Sequence, residues 1–234
     1  MQPGDIAELL GGVLEPEEVR TDPAARALYS SDVYSAGETA SAVISPRSIE
    51  RLAAAVASLA RAGVPIAVRG GGMSYTGGYI PAQRGMVVLD LARLDRIVEV
   101  AAADMFVTVE AGVTWKALHR ALAPLGLRVP FFGTFSGARA TVGGGLSNGA
   151  LFLGSARHGT AADNLLGLEV VLADGSRLHT GQLAFAAAKR PFYRTAGPDL
   201  SGLFTHDAGT LGIKVRATLR LMRTPAHEAY GSFV

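Results

Sequence analysis

Between residues 42 and 68 the chain changes period twice. Ala42-Val43-Ile44 is a short apolar run. After Pro46 and Ser48, Ile49, Leu52, Ala53, Val56, Leu59 and Ala60 recur at helical spacing, and Gly63 stops the pattern. Pro65-Ile66-Ala67-Val68 is again short and apolar. Strand, helix, strand in about 30 residues predicts a right-handed βαβ unit. Before it, residues 1–35 read as helical and peripheral: Ile6, Leu9 and Leu10 mark one short amphipathic segment. Asp22-Pro23 caps a second over 24–29, and a loop follows over 31–39.

After the βαβ unit the pattern turns mainly to strands. Residues 86–91 read as a strand, and 96–100 with 105–110 as a hairpin ended by Gly112. Thr114 caps a helix with Trp115, Leu118, Leu122 and Leu125 on one stripe, stopped by Gly126; such a stripe is core rather than a cofactor site. Residues 165–172 and 176–180 flank Asp174-Gly175, a strong hairpin signal. The stretch 182–194 is ambiguous, and 200–204 is a short helix. In 213–221, Ile213, Val215, Ala217, Leu219 and Leu221 alternate with Lys214, Arg216, Thr218 and Arg220, which predicts a half-buried antiparallel strand. Thr224-Pro225 breaks it.

The glycines add the chemistry. Arg69-Gly70-Gly71-Gly72-Met73-Ser74-Tyr75-Thr76-Gly77-Gly78 follows the second strand of the βαβ unit, at the end where such sheets bind ligands. Each glycine would weaken a regular element by roughly 0.5–1 kcal/mol against alanine. They are explained by a sharp turn whose N–H groups converge on phosphate oxygens. A pyrophosphate cradle and a long structural turn are both consistent with this segment alone. The P-loop pattern does not occur, and a dinucleotide fingerprint begun at Gly70 would need its third glycine at Tyr75. Residues 140–149, with Gly143-Gly144-Gly145, fail the same test at Asn148; small residues there suit a helix start against a flat ligand or another backbone. Residues 155–160 and 207–212 form further glycine-containing loops.

Composition narrows the field without choosing. The chain has 234 residues, 49% hydrophobic and 18% charged, with a net charge of +2. Its basic residues are scattered, so nucleic acid and anionic membrane are not implied as partners. No cysteine is present, which removes disulfides, thiolate metal sites and cysteinyl-flavin links. None of the five histidines has zinc-site spacing, so no metal is expected. His119 is read as structural, His179 as exposed, and His206 as lying in the last glycine loop. The opening lacks a signal pattern and no apolar stretch reaches spanning length, so cytoplasm is the default expectation.

Four stretches taken together resemble the FAD-binding domain of the vanillyl-alcohol oxidase / p-cresol methylhydroxylase superfamily. They are 64–78; Val109-Glu110-Ala111-Gly112-Val113-Thr114-Trp115; 140–145 with 157–175; and 197–213, which holds Gly209-Thr210-Leu211-Gly212-Ile213. Thr21-Asp22-Pro23 with Tyr29-Ser30-Ser31-Asp32 also looks like the opening of these proteins, and the nearest likeness is to glycolate oxidase / D-lactate dehydrogenase-like FAD-linked oxidases. The resemblance implies an α+β fold of two subdomains, a small βαβ-containing sheet and a larger, mainly antiparallel sheet with helices. The expected division is a helical segment at 1–35 and an FAD-binding domain at 36–224, its subdomains about 36–100 and 101–224. Residues 225–234 would be a tail or the start of a missing substrate domain.

Carried over position by position, Arg69, Gly70, Gly71, Gly72, Met73, Ser74, Tyr75 and Gly78 would wrap the pyrophosphate. Thr141, Val142, Gly143, Gly144, Ser147 and Asn148 would lie along the ribityl chain and flavin. His158, Gly159, Thr160 and Asp163 would add polar contacts, and the Ile213 backbone would meet the cofactor. Some members link flavin to a histidine in the first loop; Met73 stands at the matching position, which implies non-covalent FAD. The implied function is hydride removal from a 2-hydroxy acid or alcohol, with no catalytic residue assignable. The alternatives are a vanillyl-alcohol/cresol-type phenol oxidase domain and a non-catalytic flavin-binding subunit completed by a partner chain. An open flavin face covered by a partner or second copy, and negligible turnover by this chain alone, are expected.

Overall fold

The computed structural model describes residues 2–131, 134–195, 197–227, 229 and 231. Its first layer starts with α1 (Pro3–Leu10), whose Ile6 and Leu10 are fully buried. They join the core beneath the first sheet, so this segment is built in rather than peripheral as the sequence suggested. The edge strand β1 (Val19–Arg20), too short to be legible, follows. In α2 (Pro23–Tyr29) the Asp22 carboxylate accepts from the Ala25 N–H at 2.8 Å, the cap expected there.

The predicted unit is present as β2 (Ala42–Ile44), α3 (Ile49–Arg61) and β3 (Ile66–Arg69), and β4 (Val87–Asp90) completes the sheet. Strand order is β1-β2-β4-β3, with β2 and β3 each parallel to β4. The crossover therefore skips one position, which β4 fills. Val87, Val88 and Leu89 are fully buried because both faces of the central strand are covered. Val87 and Leu89 join α1 and α3 on one side; Val88 meets Val43 and Ala67 on the other, under Tyr29 of α2.

β5 (Ile97–Ala101) and β6 (Phe106–Glu110) form the expected hairpin, with Met105 at φ 57° in its turn. In α4 (Trp115–Leu122) Thr114 caps through the Ala117 N–H at 3.2 Å, and Trp115, Leu118 and Leu122 are buried. Leu125 is not: the helix tightens into a 3₁₀ turn at Ala123–Leu125, leaving it 54% exposed. Next come β7 (Leu127–Arg128), α5 (Val142–Ser147) and α6 (Ser155–His158), the last a helical turn where a loop was expected. β8 (Leu165–Val171) and β9 (Arg177–His179) form the Asp174-Gly175 hairpin. Gly175 has φ 85° and lies against the Ala53 carbonyl of α3, which a side chain would obstruct. α7 (Leu200–Leu203), β10 (Ile213–Arg220) and β11 (Met222–Arg223) end the fold.

The second sheet is antiparallel throughout, in the order β5-β6-β10-β8-β9, and β11 pairs with β7 in a small ribbon. β10 is thus central, with Ala217 opposite Val109 on one side and Leu168 on the other. Its apolar side packs on α3 near Ile213 and Val215, and on α4 and α5 near Ala217 and Leu219. On its polar side Lys214 and Thr218 are buried too, Arg216 is half-buried and only Arg220 at the end is exposed, so the strand is more enclosed than the half-buried expectation. Thr218 and Thr108 share a hydrogen bond at 3.0 Å, and Arg216 donates to Glu169 at 2.8 Å. Arg177 also binds Glu169 and reaches Glu50 of α3 at 3.1 Å, pairing the buried carboxylate and tying the two layers together.

Candidate functional site

The chain leaves β3 into the first glycine loop, and that loop runs directly against the start of α5. A Cβ on Gly70 would come within 2.6 Å of Thr141 Oγ1 and 3.6 Å of Gly144. One on Gly71 would overlap the Arg139 carbonyl, with the Ala140 Cα only 3.1 Å away. The two loops touch backbone to backbone, and only glycine permits that approach. Thr141 caps α5 through the Gly144 N–H at 3.2 Å. Asn148, at the end of α5, accepts from Ser74 at 3.2 Å, and its Nδ2 donates to the Gly144 carbonyl at 3.2 Å.

A third loop closes the site. The N–H groups of His206 and Ala208 donate to Leu146 and Ser147 carbonyls, both at 3.0 Å. His206 (φ 58°), Ala208 (φ 51°) and Gly209 (φ 81°) all take left-handed backbone, which only the glycine adopts without cost. Between the three loops lies a cleft of about 360 Å³, within the range of small-molecule sites.

Of the residues singled out from sequence, Gly70, Gly71, Gly72, Met73, Ser74, Tyr75, Gly78, Thr141, Gly143, Gly144, Ser147 and Asn148 line this cleft. The others do not. Arg69 turns its guanidinium away, stacked 5.1 Å from the Tyr29 ring and 4.6 Å from the Tyr79 ring, and donates to the Ser31 carbonyl at 2.9 Å. It braces the loop from behind, under Gly72 at φ 65°. Val142 is fully buried in the second core, and Ile213 lies in the first. His158, Gly159, Thr160 and Asp163 form a separate turn: Asp163 accepts from the Thr160 N–H at 2.7 Å and hydroxyl at 2.9 Å, which holds its carboxyl below the ordinary aspartate value. Burial pushes the Tyr79 phenol up.

His179 is exposed, and so is His119, on the outer face of α4. His206 packs beside Gly149, which is on the cleft wall. Thr134, Ser136, Gly145, Gly149 and Lys214 also line the cleft and were not singled out. For Lys214 the strand alternation pointed to solvent, and nothing in its own neighbourhood of sequence signals otherwise.

A dinucleotide with a pyrophosphate fits these walls. Glycine makes up much of the wall and lets the two loops close on each other, and the remaining lining is mixed apolar and hydroxyl-bearing. Among the described residues no group of histidine and carboxylate side chains is placed to hold a metal, and no helix is long and apolar enough to cross a membrane.

Comparison with known proteins agrees. Residues 40–181 match the family described as FAD binding domain. The chain is 38% identical over 183 residues to the probable mitochondrial D-lactate dehydrogenase of Danio rerio, covering 78% of this chain and 35% of that protein. It is 32% identical over 222 residues to glycolate oxidase subunit GlcD of Bacillus subtilis, covering 94% and 45%. It thus spans less than half the length of these relatives. In fold it is similar to p-cresol methylhydroxylase with substrate bound, at a TM-score of 0.82 and 23% identity, over 96% of this chain and 44% of that one.

Proposed function

The chain belongs to the FAD-binding domain family, and on that premise we propose that it is the cofactor-holding part of a flavin-dependent oxidoreductase acting on a 2-hydroxy acid. The observation that carries the reading is the meeting of the two glycine loops at one cleft, inside the matched residues. The names of two relatives, a D-lactate dehydrogenase and a glycolate oxidase subunit, support the substrate class, since both hydroxy acids carry hydroxyl and carboxylate on adjacent carbons. The second name, a subunit, supports a partner chain at the cleft mouth.

FAD when bound supplies the hydride acceptor. The chain's own residues hold and orient it. Glycine-loop N–H groups would hold the phosphate oxygens, with no side chains in the way. Asn148 and Ser74 tie the first loop to α5, so the cleft walls keep their spacing. Met73 offers no nucleophile for a covalent flavin link, so the cofactor is held non-covalently.

The purified chain should be yellow, and acid or heat should release intact FAD into solution. Flavin retained by the denatured chain would refute non-covalent binding. Release of FMN, or an inability to take up FAD, would refute the cradle. Substrate class is tested by steady-state oxidation of D-lactate, glycolate and vanillyl alcohol with an artificial acceptor, by the full protein with its partners. Preference for vanillyl alcohol would overturn the 2-hydroxy acid assignment.

A further inference from the structure

Glycine walls supply N–H donors but no charge, whereas FAD carries its negative charge on a pyrophosphate. Among the described residues lining the cleft, the side chains are apolar, hydroxyl or amide with one exception, Lys214 of β10. Its side chain is 3% exposed and that of Asp207 is 1% exposed. Nζ donates to Asp207 Oδ1 at 2.8 Å and, more weakly, to the Gly212 carbonyl at 3.4 Å. Asp207 also accepts from the N–H groups of Gly209 at 3.0 Å and Leu211 at 3.3 Å, so one carboxylate fixes both the loop and the lysine.

Taking an ammonium and a carboxylate out of water costs several kcal/mol per ion, and the pair repays this only in part. An ammonium has three N–H donors, and the two bonds above leave one for a guest in the cleft. Burial pushes the Lys214 pKa below the ordinary lysine value and Asp207 offsets it in part.

We propose that Lys214, held in the cleft wall by Asp207, is the charged contact that recognises the phosphate groups of the flavin nucleotide. This rests on the cofactor reading above and deepens it. Asp207 is a positioning residue that also prevents the lysine from being an unpaired buried cation before the cofactor arrives.

The test is fluorescence titration of the full chain with FAD and with riboflavin, which lacks phosphate. Lys214→Met should weaken FAD binding about ten- to hundredfold, the range of a hydrogen bond to a charged group. Riboflavin binding should change by less than about twofold, a difference worth about 0.4 kcal/mol. Lys214→Arg should retain most of the FAD affinity. Removing the lysine alone strands a buried carboxylate, so the double variant Lys214→Met with Asp207→Asn provides a folded, charge-free comparison with the same expected loss. Equal loss for FAD and riboflavin, or unchanged FAD affinity, in a variant that folds would overturn the contact while leaving the cofactor reading intact. A wild-type chain that does not bind FAD would overturn both.

Discussion

Replacing Gly71 by alanine tests whether the two glycine loops meet as described. The new Cβ would overlap the Arg139 carbonyl oxygen and sit 2.7 Å from its carbon. Those are backbone atoms and cannot rotate aside. They are also pinned: the N–H groups of Arg139 and Ala140 donate to Ser136 at 2.8 and 2.7 Å, and the Ala140 carbonyl accepts from Trp115 at 3.2 Å. Overpacking of this kind costs about 1–3 kcal/mol, and a backbone obstacle puts it at the upper end. In a chain of this size each kcal/mol lowers the melting temperature by about 2–4 °C. The matched control is Gly12→Ala, where nothing lies within 4 Å, and the expected change is within about 0.5 kcal/mol. FAD at about 100 times its dissociation constant should stabilise the wild type by about 2.7 kcal/mol. Loops forced apart should lose much of that protection, and Gly71→Val more of it. Thermal unfolding with and without FAD measures both quantities. Wild-type melting and full FAD protection in Gly71→Ala would show that the loops do not touch.

The register of α4 gives a second contrast: Leu118→Ala should cost about 2–5 kcal/mol, whereas Leu125→Ala should fall within about 0.5 kcal/mol, both read from denaturant midpoints. Gly4, in the first turn of α1 with open space around its Cα, should stabilise the fold by about 0.4–1 kcal/mol when changed to alanine. Asp163 is held below the ordinary aspartate value of 3.8 by the Thr160 N–H and hydroxyl. The folded value is the lower one, so its contribution is complete above pH 3.8 and is lost as pH falls through that lower value. Asp163→Asn should therefore lose stability at neutral pH and show a shallower acid limb in urea midpoints taken at falling pH; an unchanged acid limb would remove Asp163 from that account.

The local order of the chain was legible wherever one residue type suffices to force a conformation. Asp22 and Thr114 cap helices because their side chains satisfy N–H groups next to them in sequence. Gly126 at φ 64° and Gly175 at φ 85° end or turn segments because their backbone demands it. The glycine loops were legible for the same reason: clustered glycine is expensive unless close approach is required. Three features that were not legible share another cause. Nothing in residues 86–91 says that β4 enters between β2 and β3, because strand order depends on which faces other elements cover. Leu125 continues the α4 stripe on paper, but the chain tightens to 3₁₀ before reaching it. Alternation placed Lys214 on a wet face, yet β10 is central, and Lys214, Arg216 and Thr218 of that face meet Asp207, Glu169 and Thr108.

Sequence by itself determined most of the longer elements, the caps, the glycine loops and the family resemblance, because these rest on neighbours along the chain or on motifs kept in order. Tertiary structure alone decided which residues share one cleft. It turned Arg69 outward between Tyr29 and Tyr79, set Asp163 in a turn of its own, and brought Lys214 to the cleft wall. Those outcomes depend on contacts between residues far apart in the chain, and burial, unlike periodicity, is a property of the packed whole.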